Sequence, residues 1–154
     1  MQKFKFKKFG RVFLPIYFKP FGAFEMKSIL YKVDTGADVT TISKLDIYAL
    51  GYDEKWISGN IVSRGSATTA TGDYVETALL RIPLLNVLGY EAKNWLFSIV
   101  LEDGKDFRNL LGRDLLAGFD YTFRNSLNVF EIERTSKFVA IYPLEYGQEI
   151  HEVL

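Results

Sequence analysis

Many short segments of the sequence have the composition and spacing of β-strands, and this pattern limits the folds open to the chain more than any other feature. Residues 3–7 alternate basic and aromatic side chains with a period of two, as a half-buried strand does. Turn signals such as Lys19-Pro-Phe-Gly22 separate the later segments. Strands are predicted for residues 11–19, 25–33, 39–42, 61–77 (as a long hairpin), 78–82, 95–101, 127–132 and 138–142.

Two short helices are predicted between these strands. A start signal at Ser43, with Asp46 three residues later, and a stop at Gly51 indicate a helix of about two turns. A second helix is predicted for residues 114–119. Short strands with one or two short helices indicate a mainly all-β protein, and we expect a small closed β-barrel. A chain of 154 residues is expected to form a single domain, residues 1–154.

The composition excludes several kinds of chemistry. The chain has no Cys, so it has no disulfide framework, thiolate zinc site or Cys nucleophile. Its one His, His151, lies close to the C-terminal end of the sequence, which argues against a Ser–His–Asp triad and against a site with several His ligands. We therefore expect no metal and no cofactor. The 19 basic and 19 acidic side chains balance, which argues against a general attraction to nucleic acid.

The first 18 residues have features that could be mistaken for a secretory signal peptide. Residues 1–9 are basic and residues 12–18 are apolar, but the apolar run is short, contains Pro15 and lacks a following cleavage site of small residues. No apolar run approaches the roughly 20 residues that span a bilayer. We expect no membrane partner and a cytoplasmic location. An unrelated β-barrel that binds nucleic acid through residues 3–8 stays open as an alternative, although a solvated strand face explains that pattern more simply.

One short motif carries sharper chemistry than the rest of the sequence. The apolar strand of residues 28–33 runs directly into Asp34-Thr35-Gly36-Ala37-Asp38. Asp34 is therefore expected at the edge of the core, where a carboxylate is partly desolvated. Gly36 permits a sharp turn, and the Thr35 hydroxyl can bond nearby backbone. Taken alone, the tripeptide also fits a turn in which an Asp merely accepts local hydrogen bonds.

A second motif lies about 75 residues later: Asn109-Leu-Leu-Gly-Arg-Asp-Leu-Leu116. With Val33-Asp-Thr-Gly-Ala-Asp38 and the hairpin between them, it resembles the retropepsin-like aspartic proteases, over about residues 25–132. The likeness is closer to bacterial and cellular relatives than to viral enzymes, because the hairpin is poor in Gly. It implies the small barrel fold of that family and a protease activity that needs no cofactor.

The resemblance also assigns roles to individual residues. It implies that Asp34 is the catalytic carboxylate and that the hydroxyl of Thr35 bonds across a dimer. The carbonyl of Gly36 would face the substrate backbone, next to Ala37 in the same turn. An ion pair between Asp38 and Arg113 would tie this turn to the second motif.

The chain has only one Asp-Thr-Gly, so the resemblance implies a homodimer in which two Asp34 carboxylates activate a water that hydrolyses a peptide bond. The hairpin of residues 61–77 would be a flap that closes over a peptide or protein substrate. Its expected tip and substrate contacts are Arg64, Gly65, Ser66 and Ala67, and Arg64 would favour acidic substrate side chains. The alternative is a catalytically silent domain of the same fold that serves in dimerisation or peptide binding.

Overall fold

The fold comes from a computed structural model that describes residues 1–7, 10–68, 71–102, 104–105, 107–135 and, for the backbone, 149–152. The strands are β1 (Gln2–Lys5), β2 (Phe13–Phe18), β3 (Lys27–Val33), β4 (Ile61–Thr68), β5 (Tyr74–Val87), β6 (Tyr90–Val100), β7 (Leu110–Leu111), β8 (Phe119–Arg124), β9 (Val129–Arg134) and β10 (Glu149–Glu152). The helices are α1 (Lys44–Ala49), α2 (Glu54–Asn60) and α3 (Arg113–Leu116), with a 3-10 turn at Asn125–Leu127.

Most strands join one seven-stranded sheet with the order β10-β6-β5-β2-β3-β7, in which β4 also pairs with β5. The pairs are antiparallel except for β3 and β7, which run parallel. That parallel pair matters for the site, because it sets Val33 opposite Leu111 and so joins the ends of the two sequence motifs. A separate three-stranded antiparallel sheet has the order β1-β9-β8.

The mainly all-β prediction is confirmed, but the closed barrel is not shown. Among the described residues, the larger sheet ends at β10 on one side and β7 on the other, and it does not close on itself. The two-residue β7 is too short to carry the pairing further, and β8 lies in the other sheet. The described part of the chain contains no helix long and apolar enough to cross a membrane.

The core forms where alternate strand positions point inward. Leu14, Ile16 and Phe18 of β2 are fully buried, while Tyr17 between them is exposed, as the two-residue period of a strand requires. In β6, Trp95, Leu96 and Phe97 are buried in succession, so both faces of this strand are covered. β3 pairs with β2 on one side and β7 on the other, and its last residue, Val33, is buried directly before Asp34.

The helices differ in part from the prediction. Helix α1 begins as predicted, with Ser43 accepting a hydrogen bond from the N–H of Asp46 at 3.1 Å. Helix α2 was not predicted, although Asp53 caps it by accepting from the N–H of Trp56 at 2.8 Å. Helix α3 is shorter than the predicted 114–119, because the chain already enters β8 at Phe119.

The prediction that residues 64–67 lie near the hairpin tip is wrong. Strand β4 pairs with β5 as far as Thr68 and Tyr74, so the paired part of the hairpin extends beyond residues 64–67. Gly72, with φ of 88°, takes the left-handed conformation, whereas Gly65 lies within the paired strand opposite Thr77. In the predicted strand 39–42, Thr41 makes only an isolated bridge to Ser98. The predicted strand 138–142 lies outside the described residues.

Candidate active site

Asp34 stands at the first position after β3, on a turn that fixes its carboxylate. Its N–H donates to the carbonyl of Leu111 at 3.0 Å, and its own carbonyl accepts from the N–H of Ala37 at 3.2 Å. The N–H of Gly36 donates to Oδ1 of Asp34 at 2.9 Å. A Cβ at position 36 would lie 3.3 Å from that same oxygen. Oδ2 of this half-buried residue bonds to none of the described residues and is left for another partner.

The second motif holds the turn from its other side. The N–H of Arg113, at the start of α3, donates to the carbonyl of Ala37 at 2.8 Å. The guanidinium of Arg113 also forms the expected ion pair with the carboxylate of Asp38. Both side chains of this pair are about half exposed, at 47% and 50%, so the pair contributes about 0–1 kcal/mol at most. The backbone bond and the packing beneath it therefore do more to fix the turn.

Gly112 lets the two motifs approach each other closely. A Cβ built at this position would lie 2.8 Å from the carbonyl carbon of Val39 and 2.9 Å from the carbonyl oxygen of Ala37. Both atoms belong to backbone, which cannot rotate away as a long side chain can. The φ of Gly112 is −89°, which any residue adopts, so the need for Gly is purely steric.

A buried polar network supports the turn from below. Oδ1 of Asp114 accepts from the backbone N–H and the hydroxyl of Thr40, at 3.1 and 2.6 Å. The indole N–H of Trp95 donates to Oδ2 of Asp114 at 3.1 Å, and the N–H of Gly112 donates to the hydroxyl oxygen of Thr40 at 3.0 Å. Burial raises the pKa of Asp114, while hydrogen bonds, that of the Thr40 hydroxyl first among them, act against the rise.

Comparisons with known proteins bear on the fold that carries this site. No protein-family model and no curated protein matches the sequence. The fold is similar to the crystal structure of a retropepsin-like aspartic protease from Rickettsia conorii, with a TM-score of 0.62. The match covers 86% of this chain and 97% of that chain, at 22% sequence identity. The chain has the retropepsin-like fold. The retropepsin-like fold implied by the two sequence motifs is thereby confirmed, although a closed barrel is not shown among the described residues.

Within this retropepsin-like fold, the structure unites most of the site residues predicted from the sequence. Asp34, Gly36, Ala37, Asp38 and Arg113 meet through the hydrogen bonds and the ion pair described above. Thr35 is exposed, and its hydroxyl bonds to none of the described residues. The segment Arg64, Gly65, Ser66 and Ala67 instead lies within β4, paired with residues 75–78 of β5.

The sequence analysis assigned no role to four residues of the candidate site: Thr40, Trp95, Gly112 and Asp114. Thr40 and Trp95 were each interpreted only as residues of predicted strands. The available signal was Asp114, an acid within the apolar Leu-Leu-Gly-Arg-Asp-Leu-Leu stretch, because a buried carboxylate requires donors elsewhere in the chain. No group of three or more His, Cys, Asp or Glu in the described ranges could hold a metal ion.

Proposed function

We propose that the chain is an aspartic endopeptidase that acts as a homodimer, with Asp34 of each subunit at a shared catalytic site. One observation carries the proposal: the Asp34 carboxylate is held on a rigid turn by the N–H of Gly36 at Oδ1, while Oδ2 bonds to none of the described residues. A carboxylate fixed on one side and open on the other can orient a water or a second carboxylate.

Within the part of the chain that the structure describes, a single subunit supplies only one such carboxylate near the turn. Asp38 is engaged by Arg113, and Asp114 is 1% exposed with both oxygens occupied by donors. The sequence contains no second Asp-Thr-Gly. A second copy related by two-fold symmetry would bring the missing carboxylate, since symmetric pairing presents the same residue from both subunits.

The proposed mechanism follows from placing two carboxylates together. Two such groups within a few ångströms cannot both ionise without a large cost, so they share one proton. The ionised Asp34 takes a proton from the bound water, and the oxygen of that water attacks the peptide carbonyl carbon. The protonated Asp34 gives its proton to the carbonyl oxygen, which forms a neutral tetrahedral intermediate. This intermediate breaks at the C–N bond: the nitrogen takes the proton held by the dyad, and one hydroxyl of the intermediate returns its proton to the dyad. The carboxylic acid and the amine leave, and the dyad again shares one proton.

The hairpin of β4 and β5 is proposed as the flap over the substrate. Extended peptides bind such hairpins by adding main-chain hydrogen bonds, and closure excludes water from the reacting carbonyl. Strand alternation places Gly65 and Ala67 on one face of β4 and Arg64 and Ser66 on the other. The expected preference of Arg64 for acidic substrates thus depends on which face meets the peptide.

The test is cleavage of a diverse peptide library by the purified protein and by Asp34→Asn. We expect the wild type to cut internal peptide bonds and Asp34→Asn to lose cleavage while light scattering shows an unchanged dimer. Glu25→Gln, in an exposed loop, is the matched control and should retain activity. If the wild type dimerises and binds peptides without cutting them, the chain is a binding module and the proposal is wrong.

A further inference from the structure

Lys32 is the last residue of β3 before Asp34 that lies on the outer face of the strand. Tyr31 and Val33 are buried, whereas Leu30 is 63% exposed and Lys32 is half-buried. Because successive strand residues point to opposite faces, Leu30 and Lys32 share the face that turns away from the core. A charged side chain therefore lies two residues before the proposed catalytic carboxylate.

The backbone keeps this alternation as far as Asp34. The N–H of Lys32 donates to the carbonyl of Asn109, and the N–H of Asp34 donates to the carbonyl of Leu111, both at 3.0 Å. The N–H of Val33, between them, donates on the opposite side of the strand. Strand residues two apart are roughly 6.5 Å apart along the chain. The ammonium of Lys32, on its flexible four-carbon stem, can therefore reach the space in front of the Asp34 carboxylate.

The ammonium of Lys32 has no anionic partner of its own in the described part of the chain. It forms no ion pair with any Asp or Glu there. Lys44, which is also half-buried, instead pairs with Glu54 at 3.6 Å and donates to the carbonyl of Leu101 at 3.0 Å. A partly desolvated charge is stabilised by an opposite charge brought close to it. Lys32 is thus prepared to receive an anionic group from another molecule.

Apolar side chains flank Lys32 on both neighbouring strands. Phe13 of β2 and Leu110 of β7 are each paired with Lys32 in the sheet, and both are half-buried. Residues that are paired across neighbouring strands lie on the same face of a sheet. A cation between two apolar walls suits a Glu side chain, whose methylene groups can contact the walls while its carboxylate meets the ammonium.

We infer that Lys32 selects substrates with an acidic side chain beside the scissile bond, and that Glu is preferred over its neutral isostere Gln. The inference rests on the proposed function, which puts the reacting carbonyl in front of Asp34. In an extended peptide, the side chains next to that carbonyl lie within about one strand step of it. Two-fold symmetry supplies one Lys32 on each side of the bond, so the preference holds on both sides. Unlike Arg64, Lys32 is positioned by β3 itself.

Paired peptides test this assignment. Peptides that the wild type cuts are resynthesised with Glu or Gln on either side of the cleaved bond, and kcat/KM is measured for each pair. We expect the wild type to favour Glu by at least about tenfold, since an ion pair that is partly shielded from water exceeds 1.4 kcal/mol. Lys32→Met should remove the difference, Lys32→Arg should keep it, and Lys32→Glu should favour Lys over Gln at the same positions.

Lys27→Met is the matched control. It removes the same charge from the exposed far end of β3, and it should leave the ratio of Glu to Gln cleavage unchanged. If Lys32→Met keeps the wild-type ratio, or if it slows the cleavage of Glu and Gln peptides equally, the inference is overturned.

A binding measurement separates this inference from the proposed function. A peptide library with each position fixed in turn as Glu or Gln is captured on immobilised Asp34→Asn and counted by mass spectrometry. Glu peptides should be enriched by Asp34→Asn but not by the same protein carrying Lys32→Met as well. If this enrichment is found and the wild type cuts no peptide, the proposed hydrolysis fails while recognition by Lys32 stands. Cleavage without any preference for Glu would have the opposite meaning.

Discussion

The hydroxyl of Thr40 donates a hydrogen bond of 2.6 Å to Oδ1 of the buried Asp114, 74 residues further along the chain. The same hydroxyl oxygen accepts from the N–H of Gly112 at 3.0 Å. One side chain thus joins the segment after the Asp34 turn to the helix that holds the turn. The candidate site is therefore held by this long-range link as well as by the hydrogen bond within the Asp-Thr-Gly turn.

We predict that Thr40→Val lowers the free energy of unfolding by roughly 1–3 kcal/mol, because it leaves a buried carboxylate and a buried N–H each with one partner fewer. Urea unfolding at a fixed protein concentration measures the change. Thr68→Val, which removes an exposed hydroxyl from β4, is the control and should change stability by less than about 0.5 kcal/mol. Equal effects of the two substitutions would show that the buried link is not important.

Gly112→Ala should destabilise the protein by about 1–3 kcal/mol or more, because the added Cβ meets backbone atoms of Val39 and Ala37 at 2.8 and 2.9 Å. Gly59→Ala is the matched control, since nothing lies within 4 Å of a Cβ there and the residue is in α2. That change should be neutral or stabilise by up to about 1 kcal/mol. A neutral Gly112→Ala would show that the two motifs can separate without cost.

Asp114 should make stability fall as pH rises through its pKa, because burial raises that pKa from 3.8. Below pH 3.8 the carboxyl is protonated in the folded and unfolded chains, and its contribution is fully present. Between pH 3.8 and the raised pKa, the unfolded chain releases the proton first, so folding loses stability. Urea unfolding across this range should show the wild type losing stability relative to Asp114→Asn as pH increases. A difference that does not change with pH would contradict this reading.

The contribution of Glu131 to stability should change with pH in the opposite direction. The hydrogen bond from Arg124, with help from the nearby Lys3, lowers the pKa of this carboxyl from 4.5. Its contribution to stability is therefore present above pH 4.5 and is lost as pH falls through the lowered pKa. Compared with Glu131→Gln, the wild type should lose its advantage on acidification, as followed by urea unfolding. If the wild type is still more stable than Glu131→Gln at the lowest pH, the hydrogen bond from Arg124 to the ionised carboxylate is not the cause of the difference.

The sequence predicted the parts of this protein that depend on local pattern. The apolar strand before Asp34, the turn at Gly36 and the helix start at Ser43 each follow from neighbouring residues. The pairing of Asp38 with Arg113 was available only through the family resemblance, which relates two motifs far apart in the chain.

The features that the sequence did not predict depend on tertiary contacts or on register. Gly112 and Asp114 acquire their roles only when β7 is set beside β3. The hairpin tip was misplaced because a register shift between Ile61 and Ser63 and the left-handed Gly72 determine where β4 turns. Neither is visible as a local signal around Arg64-Gly65.

The most direct measurement of the central claim is peptidase activity in mixtures of wild-type protein with Asp34→Asn at constant total concentration, after the subunits have exchanged. If the reaction needs Asp34 from both subunits, an equal mixture contains about one quarter of fully competent dimers, and activity should fall to about one quarter. Mixing with Glu25→Gln should leave activity unchanged. A fall to only about one half would mean that each chain works alone, and it would contradict the shared site.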